Sequence, residues 1–257
     1  YDRPWQHVEV HVQPKRTGNR RKRLAEKWWL HGESRPGLRD ALHGLARFIV
    51  TPEVSKHRVF VWLDAVHLPD HQTRVFPRDD DYFFGVLHSR VHEVWARAQG
   101  TQLRERESGF RYTPTTCFET FPFLSPTDAQ REAIAEAARE LDRLRNNWLN
   151  PPEWTREEVL TFPGSADGPW ARYVTDPDSR GIGTVRYPRT VPLNDECARE
   201  LKTRTLTNLY NARPTWLDLA HRRLDAAVLA AYGWPDGLPD DAILTRLLEL
   251  NLAQAGG

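Results

Sequence analysis

The chain has 257 residues, 39% of them hydrophobic and 28% charged, with a net charge of +1 and a mean hydropathy of −0.66. This suits a soluble protein with a real core: no apolar run approaches the roughly 20 residues that span a bilayer, and no signal peptide is visible. Cys117 and Cys197 are the only cysteines and lie far apart, so a disulfide framework is not expected and a reducing, cytoplasmic setting is. The near-neutral balance speaks neither for nor against nucleic acid, which leaves the question to local clustering. The chain begins at Tyr1 and reads at once as mid-protein, so upstream parts are expected.

His7–Val12 alternates polar and apolar, which predicts a short strand. His7 and His11 have no third ligand nearby and read as structural histidines. A basic run follows: Lys15, Arg16, Arg20, Arg21, Lys22, Arg23 and Lys27. Such a cluster can neutralise phosphates or form a solvated helix face. Trp28 and Trp29 then supply an apolar anchor. Pro36 opens a helix through Leu38, Leu42 and Leu45, and Leu45–Thr51 reads as a strand closed by Pro52. Residues 53–57 are a polar connection. Arg58–Val66, rich in β-branched and aromatic residues, is the clearest strand, and Thr73–Pro77 is a shorter one.

Phe83, Val86, Leu87, Val91, Val94, Trp95 and Ala98 recur at three and four residues, predicting one buried helix from Asp79 to Gly100. Asp79, Asp80 and Asp81 sit where a helix N-terminus favours negative charge, which suits them better to capping than to metal binding with Glu93. The next segment carries Gln102, Arg104, Glu105, Arg106, Glu107 and Arg111, before an aromatic run at Phe118, Phe121 and Phe123. Read alone, that segment is either a solvated hairpin or a set of side chains held against DNA base edges. Ser125, Pro126 and Thr127 offer cap chemistry for a helix over Asp128–Leu149. Residues 150–195 read as an irregular excursion with a short strand at Thr184–Tyr187. Helices over Trp216–Tyr232 and Asp240–Gln254 close the chain. The expected class is α+β: a mixed α/β domain over 1–125, then a mainly α-helical domain over 126–257.

Catalytic motifs are not found. Asn150-Pro151-Pro152-Glu153 resembles the NPPY-type loop of amino-methyltransferases, but its fourth position is Glu153 and no glycine-rich cofactor loop follows a strand. It reads as a post-helical turn.

Several blocks, in order, carry a family resemblance. They include Glu26-Lys27-Trp28-Trp29, Arg35-Pro36-Gly37-Leu38-Arg39 and Arg47-Phe48-Ile49-Val50-Thr51-Pro52. Further on come Phe84-Gly85-Val86-Leu87-His88-Ser89, Val91-His92 with Trp95, and Phe118-Glu119-Thr120-Phe121-Pro122. Arg204-Thr205-Leu206-Thr207-Asn208-Leu209-Tyr210-Asn211 and the block from Ala220-His221 to Trp234-Pro235 complete the set. Together they resemble the target-recognition and C-terminal regions of MmeI-like (Type IIL) restriction–modification enzymes and related adenine-specific DNA methyltransferases. The resemblance implies a longer parent with an upstream S-adenosylmethionine-dependent N6-adenine methyltransferase domain and a nuclease as an optional further part. It implies no cofactor in the present chain, and double-stranded DNA as partner.

The same resemblance places base reading near Gln102–Tyr112. Arg bonds bidentately to guanine O6 and N7, and Glu accepts from cytosine N4. Gln102, Arg104, Glu105, Arg106, Glu107 and Arg111 are therefore the expected base readers. Lys15, Arg16, Arg20, Arg21, Lys22, Arg23, Lys56, His57 and Arg58 are the expected phosphate contacts. The alternative reading is a scaffold that docks on an upstream catalytic domain through Trp5, Trp28 and Trp29.

Overall fold

A computed structural model describes residues 2–30, 35–102 and 109–255. They fall into two compact units, residues 1–44 and residues 45–257.

The first unit contains the short helices α1 (Asp2–His11), α2 (Gln13–Arg16), α3 (Lys22–Glu26) and α4 (Pro36–Leu42). The strand expected at His7–Val12 is instead helical. Six alternating residues fit either period, and packing decides between them. Half-buried Val8 and Val12, four apart, share a helical face. Trp5 packs on Trp28 and Trp29 at ring-centroid distances of 5.4 and 6.3 Å. Arg16 donates to the carbonyls of Trp28, at 2.7 Å, and Leu30.

The second unit opens with strands β1 (Arg47–Pro52), β2 (Val54–Ser55), β3 (Val61–Asp64) and β4 (Thr73–Phe76). The order β3-β1-β4 is antiparallel, with Ile49 opposite both Trp62 and Phe76. The strand expected over Arg58–Val66 is shorter because Arg58, Val59 and Phe60 lead into it with their side chains buried.

The long helix expected next is two: α5 (Asp81–His88) and α6 (Arg90–Gln99). Ser89 separates them in extended conformation, its Oγ donating to the Val86 carbonyl and accepting from the His92 N–H. A serine that bonds the backbone on both sides competes with the helical ladder, and here it wins. Asp80 caps α5 through the Phe83 N–H at 2.9 Å, the role expected of the acidic run.

Strands β5 (Thr101–Gln102) and β6 (Phe110–Arg111) form a second sheet with β2, in the order β2-β6-β5. A π-helical turn, Pro114–Phe118, leads on to α7 (Asp128–Leu149). That helix starts on a full capping box between Thr127 and Gln130. The domain boundary expected between residues 125 and 126 falls on the connection before α7.

Residues 150–195 are not irregular. They contain a long antiparallel hairpin of β7 (Thr155–Ser165) and β9 (Ile182–Pro192), with β8 (Val174–Thr175) added to β9. Its prolines hide it from sequence reading. Pro163 sits on edge strand β7, and Pro188 and Pro192 sit where β9 has no second neighbour, so the missing N–H groups cost little. Asn150–Glu153 is a turn: the Pro151 carbonyl accepts from the Trp154 N–H.

Helices α8 (Asp195–Leu201), α9 (Leu206–Ala212), α10 (Thr215–Ala231) and α11 (Asp240–Ala255) finish the chain. One apolar core joins α5, α6, α7, α10 and α11 to the first sheet through Phe84, Trp95, Ile134, Leu141, Leu224 and Leu247. Each large side chain buried there contributes about 1.5–3 kcal/mol. At Gly85 a Cβ would lie 2.8 Å from Ile134 and 3.0 Å from Ala138, so glycine lets α5 and α7 pack this closely. Among the described residues no helix is long and apolar enough to cross a membrane.

Candidate functional site

The segment expected to read bases is anchored at both ends by the second sheet. Gln102 stands opposite Phe110 and Thr101 opposite Arg111, while Val54 and Ser55 pair with β6 from the other side. Two glycines fix the anchor. Gly109 has φ +83° and lies against β2, where a Cβ would meet the Ser55 carbonyl oxygen at 1.9 Å. At Gly100 a Cβ would meet the Phe110 ring at 2.5 Å. No other residue fits either position without moving backbone. Phe110 is buried beneath the sheet, while Gln102 and Arg111 point to solvent. Arg104, Glu105, Arg106 and Glu107 lie outside the described residues.

Arg111 is not a loose cation. Its Nε pairs with Glu53 at 3.3 Å, and Glu53 also holds Arg74 at 2.8 Å.

Arg58 is placed differently from the surface contact its charge suggests. Its guanidinium is buried and donates to Thr51 Oγ1 at 3.0 Å, to the Phe110 carbonyl at 3.0 Å and to the Pro52 carbonyl. Burial lowers its pKa to about 10, which leaves it cationic at neutral pH. As placed, Arg58 ties β1 to β6 from below, and its two terminal nitrogens donate to the protein rather than to a surface phosphate.

Lys56 and His57 are reached by solvent, and both bond to Asn211 of α9: Lys56 Nζ donates to Asn211 Oδ1 at 2.8 Å, and His57 Nε2 lies 2.9 Å from the same oxygen. In the first unit Lys15, Arg20, Arg21, Lys22 and Arg23 are exposed. Lys22 approaches Glu26 at 3.7 Å. Arg16 is half-buried and spends its guanidinium on the carbonyls described above. These contacts leave the basic run partly structural and partly a solvated face.

Beneath the second sheet lies a layer of buried polar groups that residue spacing does not reveal. His92 Nε2 meets the Tyr112 hydroxyl at 3.1 Å, and its Nδ1 meets the Leu87 carbonyl at 2.9 Å. Tyr210 and His221 meet at 2.9 Å. Arg145 donates to His88 Nε2, to the Phe60 carbonyl at 3.1 Å and to Asp142 at 2.9 Å. An arginine has only donors, so His88 accepts at Nε2 and is neutral. Desolvation holds His88 well below its ordinary pKa and brings His92 and His221 to about 3, with nearby arginines acting in the same direction. The trace of this layer in the sequence is that His88, His92, Tyr210 and His221 lie in the blocks that carried the resemblance; Asp142 and Arg145 do not.

A polar cavity of about 290 Å³ opens beside this layer. A wider apolar groove of about 820 Å³ runs between Phe76, Phe83, Phe118 and Phe123, with Arg78 and Arg131 at its sides. Among the described residues no group of three His, Cys, Asp or Glu could hold a metal ion.

Residues 16–125 match a family model described as the target recognition domain of MmeI. That stretch is similar to an MmeI target recognition domain. In fold the likeness extends beyond it. Type IIL restriction–modification enzyme MmeI, whose structure was solved in complex with DNA, matches 99% of this chain with a TM-score of 0.63 and 20% identity. The chain spans 27% of the length of that enzyme's chain, and at this identity the likeness concerns the fold. No curated protein matches the chain.

Proposed function

We propose that this chain is the sequence-reading part of a Type IIL restriction–modification enzyme, and that it directs an S-adenosylmethionine-dependent N6-adenine methyltransferase elsewhere in the parent protein to its site on double-stranded DNA. The observation that carries this reading is the MmeI target-recognition match over residues 16–125. The enzyme of similar fold was solved with DNA, which supports the choice of partner.

In this reading the side chains from Gln102 to Arg111 meet base edges. Arg104 and Arg106 are suited to guanine, and Glu105 and Glu107 to cytosine N4, each good pair giving about 1–3 kcal/mol of discrimination. Lys15, Arg20, Arg21, Lys22, Arg23, Lys56 and His57 supply phosphate contacts that position the duplex without reading it. Methylation-sensitive sequencing of DNA from cells expressing the parent protein identifies the site. Arg104→Ala and Arg106→Ala are expected to change the methylated sequence; full activity at an unchanged site in both variants refutes the assignment.

A second reading rests on the first unit. Trp5, Trp28 and Trp29 form one aromatic cluster, and Trp5 and Trp29 remain 48% and 46% exposed. Such a patch suits docking on another domain of the parent. Trp5→Ser with Trp29→Ser would then loosen the parent's domain assembly in limited proteolysis and leave the recognised sequence unchanged.

A further inference from the structure

The polar cavity has an unusual charge balance. Arg58, Arg90, Arg97 and Arg213 face it against Glu93, Asp225 and Asp240. Arg90 is matched by Asp240 at 2.7 Å, Arg97 by Glu93, and Arg213 by Asp218 at 3.0 Å. Arg58 bonds only neutral oxygens. Lys56, next in the chain to the lining residue His57, forms no ion pair among the described residues and donates only to Asn211.

Asn211 is spent on one side only. Its Oδ1 accepts from Lys56 and lies within bonding distance of His57 Nε2, and among the described residues its amide nitrogen has no partner. Two residues on, Arg213 takes a left-handed conformation at φ +40°, unusual for a residue with a side chain, at the C-terminal end of α9. Arg213 and His57 line the same cavity, and Arg213, Asn211 and Lys56 are exposed. The result is a cluster of donors with an excess of positive charge, open to solvent, drawn from two stretches about 155 residues apart in the chain. Its natural complement is an anion with several acceptor oxygens.

We propose that Asn211 and Arg213 complete, with Lys56 and His57, a patch that grips a backbone phosphate of duplex DNA. This rests on the DNA-recognition reading above and extends it to the C-terminal helices, which the target-recognition match does not cover. In this arrangement Asn211 holds Lys56 in place through Oδ1 and presents its amide to the phosphate. Arg213, paired through Nε with Asp218, supplies a second cation through its remaining donors. The patch positions the duplex and carries no sequence information.

The test is binding of a fluorescent duplex containing the methylation site by the natural protein that carries this chain, over a salt series from about 50 to 200 mM. Each phosphate contact contributes a slope of about 0.9 in log K against log salt. Lys56→Gln and Arg213→Gln should each flatten the slope by about 0.9 and weaken binding roughly three- to tenfold at the low-salt end, with the recognised sequence unchanged. Asn211→Asp keeps an acceptor for Lys56 and His57 but adds a negative charge. It should melt with the wild type and bind at least as weakly as Arg213→Gln. Arg180→Gln, on the exposed turn of the long hairpin, should match the wild type. Wild-type salt slopes in Lys56→Gln, Arg213→Gln and Asn211→Asp overturn the patch while leaving DNA recognition standing. A wild-type protein that does not bind the duplex overturns the recognition reading itself. If inorganic phosphate at constant ionic strength raises the melting temperature of the wild type but not of Arg213→Gln, and duplex affinity is the same in both, the site takes a free anion and the duplex assignment falls.

Discussion

Helix α6 and the β5–β6 pair adjoin across Gly100, yet they are built on opposite terms. In α6, Val91, Val94, Trp95 and Ala96 are buried, and His92 has both ring nitrogens bonded within the protein. In β5–β6, Phe110 is the one side chain sunk into the core, and the other paired positions face water. The first stretch tolerates little change because each residue completes another's packing or hydrogen bonding. The second exposes Thr101, Gln102 and Arg111 and is held in place by Gly100 and Gly109. A fixed base thus adjoins a small sheet whose described side chains, Phe110 apart, stand clear of the core.

Acid should disturb the buried layer most strongly. His88, His92 and His221 stay neutral in the folded chain, because burial and neighbouring arginines hold them below their ordinary pKa of 6.5. An unfolded chain takes up protons at these rings from about pH 6.5 downward while the folded one does not, so stability is lost as pH falls. Each ring costs on the order of 1–2 kcal/mol between about pH 7 and 5. Asp225 opposes this. Its carboxyl, raised by burial to about 6, takes up a proton in the folded chain before the unfolded one does, which adds stability in the same window. With three histidines against one aspartate, the melting temperature should fall steeply below pH 6.5. A flat profile would mean the histidine layer is open to water.

Gly109→Ala strikes the β2–β6–β5 sheet at its anchor. Positive φ and a backbone clash together should cost about 3 kcal/mol, read from a chemical denaturation midpoint. Tyr112→Phe removes one buried hydrogen bond to His92 and should cost about 1–2 kcal/mol in the same measurement. Arg104→Ala and Arg106→Ala should change stability by less than about 0.5 kcal/mol while altering the sequence recognised. A large stability loss in either would show that the reading segment is part of the framework after all.

Much of the architecture was legible in the sequence because it rests on local signals. The capping residues before α7, the apolar spacing of α10 and α11, and the β-branched runs of β1 and β3 each announce themselves within a dozen residues. Where tertiary contacts decided, reading failed. The segment His7–Val12 became helical because Trp5 meets Trp28 and Trp29 from elsewhere in the chain. The β7–β9 hairpin was masked by prolines that only a known edge makes acceptable. Arg58 looked like a surface cation because nothing local foretells three oxygens converging on it from β1 and β6. Asn211 and Arg213 could not be joined to Lys56 without knowing that α9 folds back beside β2.

Ser89 has one more consequence. It closes α5 and opens α6 with no residue between, so the corner has no slack. Adding a single residue to α6 would turn everything beyond it by about 100° about the helix axis. Val91, Val94 and Trp95 would then rotate off the core, and strand β5 would point elsewhere. A length change beyond Gly100, by contrast, leaves this corner and the buried face of α6 in register.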